Sequence, residues 1–254
     1  MDLSCANHQG KLRRHDKSML QKPVTKIYRR TTYDDCDKCP ARHVDLLLGT
    51  DRADRDFLLK SSSIVSFAAK ETIYRLGEPG EWLYLGRFGL VKLLRYSSSG
   101  AERIVGLART GDTIGTAAAS CIPYRRTAVT LTGTEACRLP GELVRTYNRT
   151  KPELLAALLT QFQADLDAAD TFLAELSTGS AHARMARLLL FLVEKHDHGE
   201  APLPSRDDIG ALLGITTETA SRVIAEFRRE GKIDVHHHDR CHCNVEALSH
   251  IAGA

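Results

Sequence analysis

The sequence predicts an α+β chain in which a small β-roll precedes a long helix and a C-terminal helix-turn-helix. Three patterns predict it: short β-prone runs between glycines over residues 64–140, apolar residues at steps of four and three after Pro152, and two short helical patterns around a tight turn after Pro204. A chain of 254 residues with 43% hydrophobic content can bury a core in each of two domains. The net charge of +3 is too small to indicate a nucleic-acid partner by itself.

Residues 1–45 are predicted to form a basic N-terminal arm. Residues 1–43 contain ten Lys or Arg against five Asp, and this polar sequence shows no sustained periodicity. A short helix is expected after the arm, over residues 52–61. No stretch approaches the roughly 18 to 20 apolar residues that a membrane span requires, so the expectation is a cytoplasmic protein.

Two cysteines in the arm, Cys36 and Cys39, have metal-ligand spacing, because two intervening residues let both thiolates reach one centre. Seven cysteines in an intracellular chain of this length favour reduced thiols, metal ligands or redox sensors over a disulfide framework. Two alternatives stay open: an unused pair of exposed thiols, or a redox pair that would make the chain a thiol oxidoreductase. The redox pair needs a βαβ context, which the sequence does not predict.

Residues 46–145 are predicted to form the β-roll. Gly77, Gly80, Gly89, Gly100 and further glycines separate the β-prone runs, and glycine supplies the positive backbone angles that turns need. The predicted strands cover residues 72–74, 82–85, 90–96, 103–107 and 127–131.

Residues 146–178 are predicted to form a dimerisation helix. Pro152 lies near a helix start, where its missing N–H costs nothing. Apolar residues then recur at alternating steps of four and three, as in a coiled-coil seam of about three heptads. The alternative is an amphipathic helix packed on its own domain. The predicted seam consists of Leu155, Leu159, Phe162, Leu166, Ala169, Leu173 and Leu176.

Residues 179–254 are predicted to form a DNA-binding domain. After a first helix that ends near Lys195, two short helices are expected over residues 205–213 and 217–230, with Gly214, Ile215 and Thr216 as the turn between them. Ser205 is a good N-cap, and acidic residues follow it where the helix dipole favours anions.

The free face of the second short helix has side chains suited to reading bases. Arg222 can donate two hydrogen bonds to guanine, Glu218 can accept from cytosine, and Ser221 can bond a base or a phosphate. The alternative for Glu218 and Arg222 is a surface ion pair at i,i+4. The predicted DNA-binding residues are Thr217, Glu218, Ser221, Arg222 and Arg229. Because the chain from residue 200 onward has six basic and nine acidic residues, phosphate contacts need one locally basic face, for which Arg228, Arg229 and Lys232 are the candidates.

Several motifs together resemble the CRP/FNR superfamily of transcription regulators over residues 60–254. They are D-D-I-G-A-L-L-G-I-T-T-E-T-A-S-R at 207–222, G-E-P-G-E-W-L-Y at 77–84, G-L-V-K at 89–92 and G-D-T-I-G at 111–115. The resemblance implies a sensory β-roll of the cyclic-nucleotide-binding type, a winged helix-turn-helix, a homodimer that works with RNA polymerase, and no enzymatic activity. Glu218, Ser221 and Arg222 match the E-x-x-S-R pattern of the FNR branch, which implies palindromic DNA with TTGAT-type half-sites.

The resemblance to oxygen-sensing FNR proteins extends to C-P-A-R-H at residues 39–43 and to Cys137. It implies a [4Fe-4S] cluster held by Cys36, Cys39 and Cys137, which would sense oxygen or redox state. The sequence departs from the family where a third N-terminal cysteine is expected, since Asp45 and Leu47 stand there. The candidates for the fourth ligand are Asp45, Cys5 and His43, and a carboxylate suits iron-sulfur ligation less well than a thiolate.

Two other ligand sites are weighed against the cluster. Arg126 and Thr127 lie where the cyclic-AMP branch of the family binds the cyclic phosphate, but Thr116 stands where that branch has an acidic residue, which favours a structural role for Arg126. A zinc site is conceivable among His236, His237, His238, Cys241, His242 and Cys243. Adjacent residues of a strand point to opposite faces, which favours a solvated wing instead.

Overall fold

A computed structural model describes residues 26–28, 51–98, 100, 102–194, 199–236 and 240–253. Within these residues no helix is both long and apolar enough to cross a membrane. The predicted site residues Cys5, Cys36, Cys39, His43 and Asp45 lie outside the described residues, as do His237 and His238.

The N-terminal unit is a roll of two antiparallel sheets. A five-stranded sheet has the order β1-β2-β9-β4-β7, and a four-stranded sheet has the order β3-β8-β5-β6. Helix α1 (Arg52–Lys60) precedes the roll, and a 3₁₀ helix (Thr116–Ser120) follows β7. The strands are β1 (Lys26–Tyr28), β2 (Ser63–Phe67), β3 (Thr72–Tyr74), β4 (Trp82–Phe88), β5 (Val91–Tyr96), β6 (Glu102–Ala108), β7 (Thr113–Ile114), β8 (Thr127–Thr130) and β9 (Thr134–Pro140).

Strands β3, β4, β5, β6 and β8 lie at predicted positions, whereas β1, β2, β7 and β9 are not predicted by the sequence pattern. Strand β9 reads T-E-A-C-R-L-P, and its Glu, Arg and Pro are poor strand formers in isolation. Its neighbours stabilise it, since β9 pairs with β2 on one side and β4 on the other. Strand β1 lies within the predicted arm and pairs antiparallel with β2.

The predicted long helix is divided at Lys151. Helix α2 (Gly141–Thr150) ends there, and α3 (Pro152–Glu175) begins at Pro152. Proline has no N–H and its ring clashes with the preceding turn, so α2 cannot continue through it. Helix α3 is the long helix with the predicted leucine spacing.

The C-terminal unit packs around a hydrophobic core, to which α4 contributes Met185, Leu188, Leu189 and Leu192. Its small sheet has the order β10-β12-β11. The elements are α4 (Ala181–Val193), β10 (Glu200–Pro202), α5 (Arg206–Leu213), α6 (Thr217–Arg229), β11 (Ile233–His236), β12 (Arg240–Cys243) and α7 (Val245–Ala252).

The two units contact each other directly. Lys92 on β5 donates to the Asp208 carboxylate on α5, with 2.9 Å between Nζ and Oδ1. Arg109 at the end of β6 is buried, bonds Glu194 at 3.0 Å, and stacks 3.7 Å from the centre of the Phe191 ring. The sensory roll is therefore linked to α4 and to the first short helix of the C-terminal unit.

Candidate nucleic-acid interface and sensory site

Helices α5 and α6 form a helix-turn-helix whose geometry is fixed by caps and glycines. The Ser205 hydroxyl accepts from the Asp208 N–H at 3.2 Å, and the Thr216 hydroxyl accepts from the Thr219 N–H at 3.2 Å. Gly214 has a φ of +62°, which glycine tolerates best. A Cβ on Gly210 would lie 2.8 Å from the Ile215 carbonyl oxygen, so the close approach of turn and helix requires glycine there.

Helix α6 has two faces with different composition. Ala220, Val223, Ile224 and Phe227 are buried in the core and anchor the helix. The predicted base-reading residues are exposed on the opposite face, and Glu218 and Arg222 form no ion pair with each other in the described part of the chain. The surface ion pair that the spacing allows is thus not formed, and the carboxylate and the guanidinium both face outward. The exposed residues are Thr217, Glu218, Ser221, Arg222 and Arg229.

One end of α6 carries the candidates for phosphate contacts. Arg228 and Arg229 are exposed in its last turn, and Lys232 follows it, half-buried over the Phe227 ring and paired with Glu230. At the other end, Thr217 is anchored, because its hydroxyl donates to the Asp207 carboxylate at 2.7 Å. Arg228 and Arg229 are therefore better placed for phosphate than Lys232, whose charge is already paired.

Helix α3 exposes a stripe of leucines, which we call the leucine stripe: Leu155, Leu159, Leu166 and Leu173. Their exposed fractions lie between 49% and 66%. The other predicted seam residues differ, since Phe162 and Ala169 are half-buried and Leu176 is buried in the core of its own chain. The leucine stripe is thus smaller than the predicted seam, and Leu176 is not part of it.

Cys137 is the one predicted cluster ligand among the described residues. It is fully buried on β9, opposite Ile64 of β2 and Leu85 of β4. Leu58 and Leu59 of α1 belong to the same hydrophobic cluster, and α1 follows the cysteine-containing arm in the chain. No group of three or more His, Cys, Asp or Glu capable of holding a metal occurs within the described residues. Cys137 supplies a soft donor in an apolar setting, which suits an iron-sulfur centre.

A cavity of about 770 Å³ lies between the roll, α3 and α4. Tyr74, Leu93, Arg126, Gln161 and Phe172 are among its lining residues. Thr127, the partner of Arg126 in the nucleotide-binding hypothesis, is buried, and its hydroxyl accepts from the Leu76 N–H at 3.0 Å. Arg126 therefore faces the cavity, while the Thr127 hydroxyl is engaged with the backbone.

The sequence reasoning missed two polar residues on the cavity side of α3. Gln161 is buried and donates to the Asp165 carboxylate at 3.0 Å, and burial raises the pKa of Asp165. Polar residues spaced i,i+4 on the inward face of an apolar helix are the signal that could have indicated them.

Comparison with known proteins now decides the family. The family model of the cyclic nucleotide-binding domain matches residues 64–149, and the model of the Crp-like helix-turn-helix domain matches residues 183–251. The chain belongs to the CRP/FNR family of transcription regulators. The family and its structural neighbours are regulators and not enzymes, which excludes the thiol oxidoreductase alternative.

Relatives of this CRP/FNR protein cover most of its length. Electron transport regulator A of Shewanella oneidensis is 27% identical over 171 residues, which is 65% of this chain and 68% of that protein. The fumarate and nitrate reduction regulatory protein of Escherichia coli K12 is 26% identical over 189 residues, covering 72% and 76% of the two chains. The structure of FixK2 from Bradyrhizobium japonicum shares the fold, with a TM-score of 0.68, 24% identity and coverage of 76% of this chain and 98% of that chain.

The wing of this CRP/FNR chain brings two of its cysteines together. Cys241 and Cys243 are both buried on one face of β12, and their sulfurs lie 3.6 Å apart. The hydrogen bond from the Cys243 thiol lowers the pKa of Cys241. His242 between them is exposed, and so is His236, which pairs with Asp234 at 3.3 Å. The alternation expected for a strand thus places His242 on the opposite face of β12 from the two cysteines.

Proposed function

We propose that this chain binds DNA as a homodimer that reads palindromic sites with TTGAT-type half-sites and acts on transcription with RNA polymerase. The supporting observation is the joint exposure of Glu218, Ser221 and Arg222 on the free face of α6. We also propose the division into an arm (1–45), a sensory roll (46–145), a dimerisation helix (146–178) and a DNA-binding domain (179–254).

Hydrogen-bonding chemistry supports base reading by this face. Arg222 can donate a fork of two hydrogen bonds to guanine O6 and N7, and Glu218 one turn earlier can accept from a cytosine amino group. The Ser221 hydroxyl suits either a base edge or a phosphate, whereas the Thr217 hydroxyl already donates to Asp207 and can only accept from a donor on DNA such as a base amino group. Because α6 ends in Arg228 and Arg229, its last turn can contact the sugar-phosphate backbone while its first turns enter the major groove.

The leucine stripe supports the dimer. Four leucines that are about half exposed or more on one helix face form an apolar surface that monomeric proteins usually cover. Full burial of a leucine contributes about 1.5–3 kcal/mol, and a two-fold interface would bury two copies of each leucine, one from each protomer. A symmetric dimer also places two copies of α6 for half-sites about one helical turn, roughly 34 Å, apart.

Fluorescence anisotropy with labelled duplexes tests the proposal. An inverted repeat of the TTGAT type should bind far more tightly than a duplex of scrambled sequence at the same salt concentration. Changing the guanine of both half-sites should remove most of that preference, while changing the spacer sequence should have little effect. Equal affinity for all duplexes, measured with both oxic and anoxic protein, would exclude sequence-specific reading.

For the signal, we propose an iron-sulfur cluster held by Cys36, Cys39 and Cys137. The position of Cys137 supports it, because the strand that carries this cysteine packs against α1, the helix that follows the arm. A bound cluster would supply a redox-sensitive centre. The chain's own part is to place Cys137 in an apolar core that limits access of water, and to connect the arm with the roll.

Anaerobic purification tests the cluster. The wild-type chain should contain iron and sulfide and absorb visible light, and Cys137→Ser should lose most of all three signals. Cys243→Ser is the matched control, since Cys243 is also a buried cysteine but lies outside the proposed ligand set. Iron-free wild-type protein after anaerobic reconstitution would contradict the iron-sulfur proposal. It would not affect the proposal that the chain binds DNA.

A small molecule in the cavity is the second candidate signal, favoured by the cavity volume and by Arg126 in its wall. A guanidinium in a largely apolar site suits the phosphate of a cyclic nucleotide. Calorimetry of iron-free protein with cyclic AMP tests this candidate. Micromolar binding would support it if Arg126→Gln abolishes that binding. Arg103→Gln, on the exposed part of β6, is the control and should leave the binding intact. No heat of binding would remove cyclic AMP as the signal.

A further inference from the structure

The paired sulfurs of Cys241 and Cys243 form a donor site outside the DNA-reading face, the proposed cluster and the cavity. They stand two residues apart on β12, the central strand of the small sheet, so both side chains point to the same face. The two sulfurs lie 3.6 Å apart, and both cysteines are at least 98% buried. The geometry of the strand therefore holds the two sulfur atoms next to each other on one face.

We propose that Cys241 and Cys243 bind one thiophilic metal ion of low coordination number, of the Cu(I) class. Thiolates are soft ligands and select soft ions. Ala201, Ile233 and Leu248 belong to the same hydrophobic core as the two cysteines. This apolar environment disfavours ions that keep several waters, such as Mg²⁺.

The charges near the pair fit a singly charged ion. Two thiolates and one monovalent cation leave a net charge of −1, and coordination releases the two thiol protons to solvent. Arg206 at the start of α5 and Arg240 on β12 both act on Cys241 with favourable charge. Arg240 is itself paired with Glu200 at 2.6 Å, so Arg206 is the main counter-charge for a metal-loaded site.

A metal ion suits this strand better than a disulfide does. Alternate residues of an extended strand have Cα atoms about 6.4–6.8 Å apart, at the upper limit of the span of roughly 4.4–6.8 Å that a disulfide tolerates. Disulfides most often have Cα atoms about 5.5–6 Å apart, so a disulfide here would favour a shorter β12 and would strain its pairing with β10 and β11. An ion joins the sulfurs through two bonds and leaves the strand extended.

Tetrahedral zinc is a less suitable occupant. Structural zinc sites take four protein ligands, and the described residues place two sulfurs here, with His242 exposed between them. Arg206 is one residue after the N-cap of the helix-turn-helix, and its charge acts on Cys241, so a negatively charged metal site would attract the start of α5. The expected consequence is a more stable DNA-binding unit, because a ligand that binds only the folded state stabilises it.

Competition with a chromophoric Cu(I) chelator, under anoxic and reducing conditions, tests the site in the full chain. Wild-type protein should take up one more Cu(I) per protomer than Cys241→Ser/Cys243→Ser, and copper should raise the midpoint of thermal unfolding in the wild type alone. Arg206→Gln should weaken this site about tenfold, as expected for a residue outside the ligand set. His242→Ala, on the exposed face of the same strand, is the matched control and should behave like the wild type.

Equal copper stoichiometry in the wild type and the double variant would overturn the proposal, as would tight zinc binding at the pair with no Cu(I) uptake. A disulfide would be shown instead if the unreduced wild-type chain is two mass units lighter than the reduced chain and takes up no copper. The double variant should then show no such mass difference. X-ray absorption of the Cys36→Ser/Cys39→Ser chain loaded with one Cu(I) does not depend on folding of the double variant. It should show two sulfur neighbours around copper, and an environment of nitrogen and oxygen would contradict the assignment.

Discussion

Helices α3 and α6 both have apolar residues at helical spacing, but only α3 leaves large apolar side chains exposed. In α6, every large apolar side chain is buried within the chain, and the exposed face is made of hydroxyl, carboxylate and guanidinium groups. In α3, Leu158 and Phe172 are buried, while the leucine stripe remains exposed on an adjacent face. The large apolar side chains of α6 are therefore covered by its own domain, whereas those of α3 are covered only in part.

One helical periodicity therefore serves two purposes in this chain. A helix with a single apolar face needs only its own core, and its polar face is free to meet a polar ligand such as DNA. A helix with leucines on two adjacent faces needs a second apolar surface, for which another copy of the same helix is the simplest candidate. Substitutions on each helix can separate this assignment of the two faces from its alternatives.

The largest effect is expected from charges in the leucine stripe. Leu159→Glu/Leu166→Glu should make the protein monomeric in sedimentation velocity, because the interface would have to bury carboxylates without partners. Loss of one half-site contact should lower operator affinity about 1,000-fold, towards the non-specific level. Thr160→Glu/Asp167→Ala changes exposed positions of the same helix outside the stripe and should stay dimeric. A dimeric stripe variant with normal affinity would assign dimerisation to another surface.

A smaller, sequence-dependent effect is expected at Arg222. Arg222→Ala should lower affinity for the proposed inverted repeat about 10- to 100-fold per half-site, since each bidentate base contact contributes about 1–3 kcal/mol of discrimination. Affinity for scrambled DNA should change little, which anisotropy titrations against both duplexes would measure. An equal loss on both duplexes would make Arg222 a backbone contact.

Arg229→Ala should have a weaker and sequence-independent effect. Removal of one phosphate contact is expected to reduce the slope of log K against log salt by about 1 per protomer. The ratio of affinities for the inverted repeat and the scrambled duplex should stay constant over a salt titration. A changed ratio would indicate that Arg229 reads bases.

The smallest effect concerns the contact between the two units. Lys92→Met keeps the apolar stem but removes the bond to Asp208, and should destabilise the chain by about 1.5 kcal/mol in urea unfolding. Asp208 keeps its second partner, because the Ser205 hydroxyl donates to it at 2.6 Å. Arg95→Met, at an exposed position of the same strand, is the control and should change stability little. Equal effects of the two substitutions would mean that the ion pair does not couple the units.

Much of the DNA-binding unit could be predicted because its signals are local. The caps at Ser205 and Thr216, the glycine at position 214 and the apolar positions of α6 all lie within one short segment of sequence. The roll could be predicted only in outline. Strand β9 and its Cys137 depend on pairing with β2 and β4, which are distant in sequence and supply the stability that the β9 residues lack.

The period of each helix, the turn chemistry and the order of side chains along α6 follow from local sequence, because they depend on residues within a few positions of one another. The packed structure was needed to show which leucines of α3 stay exposed, that Leu176 joins its own core, and that Lys92 contacts Asp208. It also decided that Cys241 and Cys243 lie buried as a pair while His242 stays exposed. The physical reason is that burial and long-range pairing depend on what each face packs against, and residues far apart in the sequence supply those surfaces.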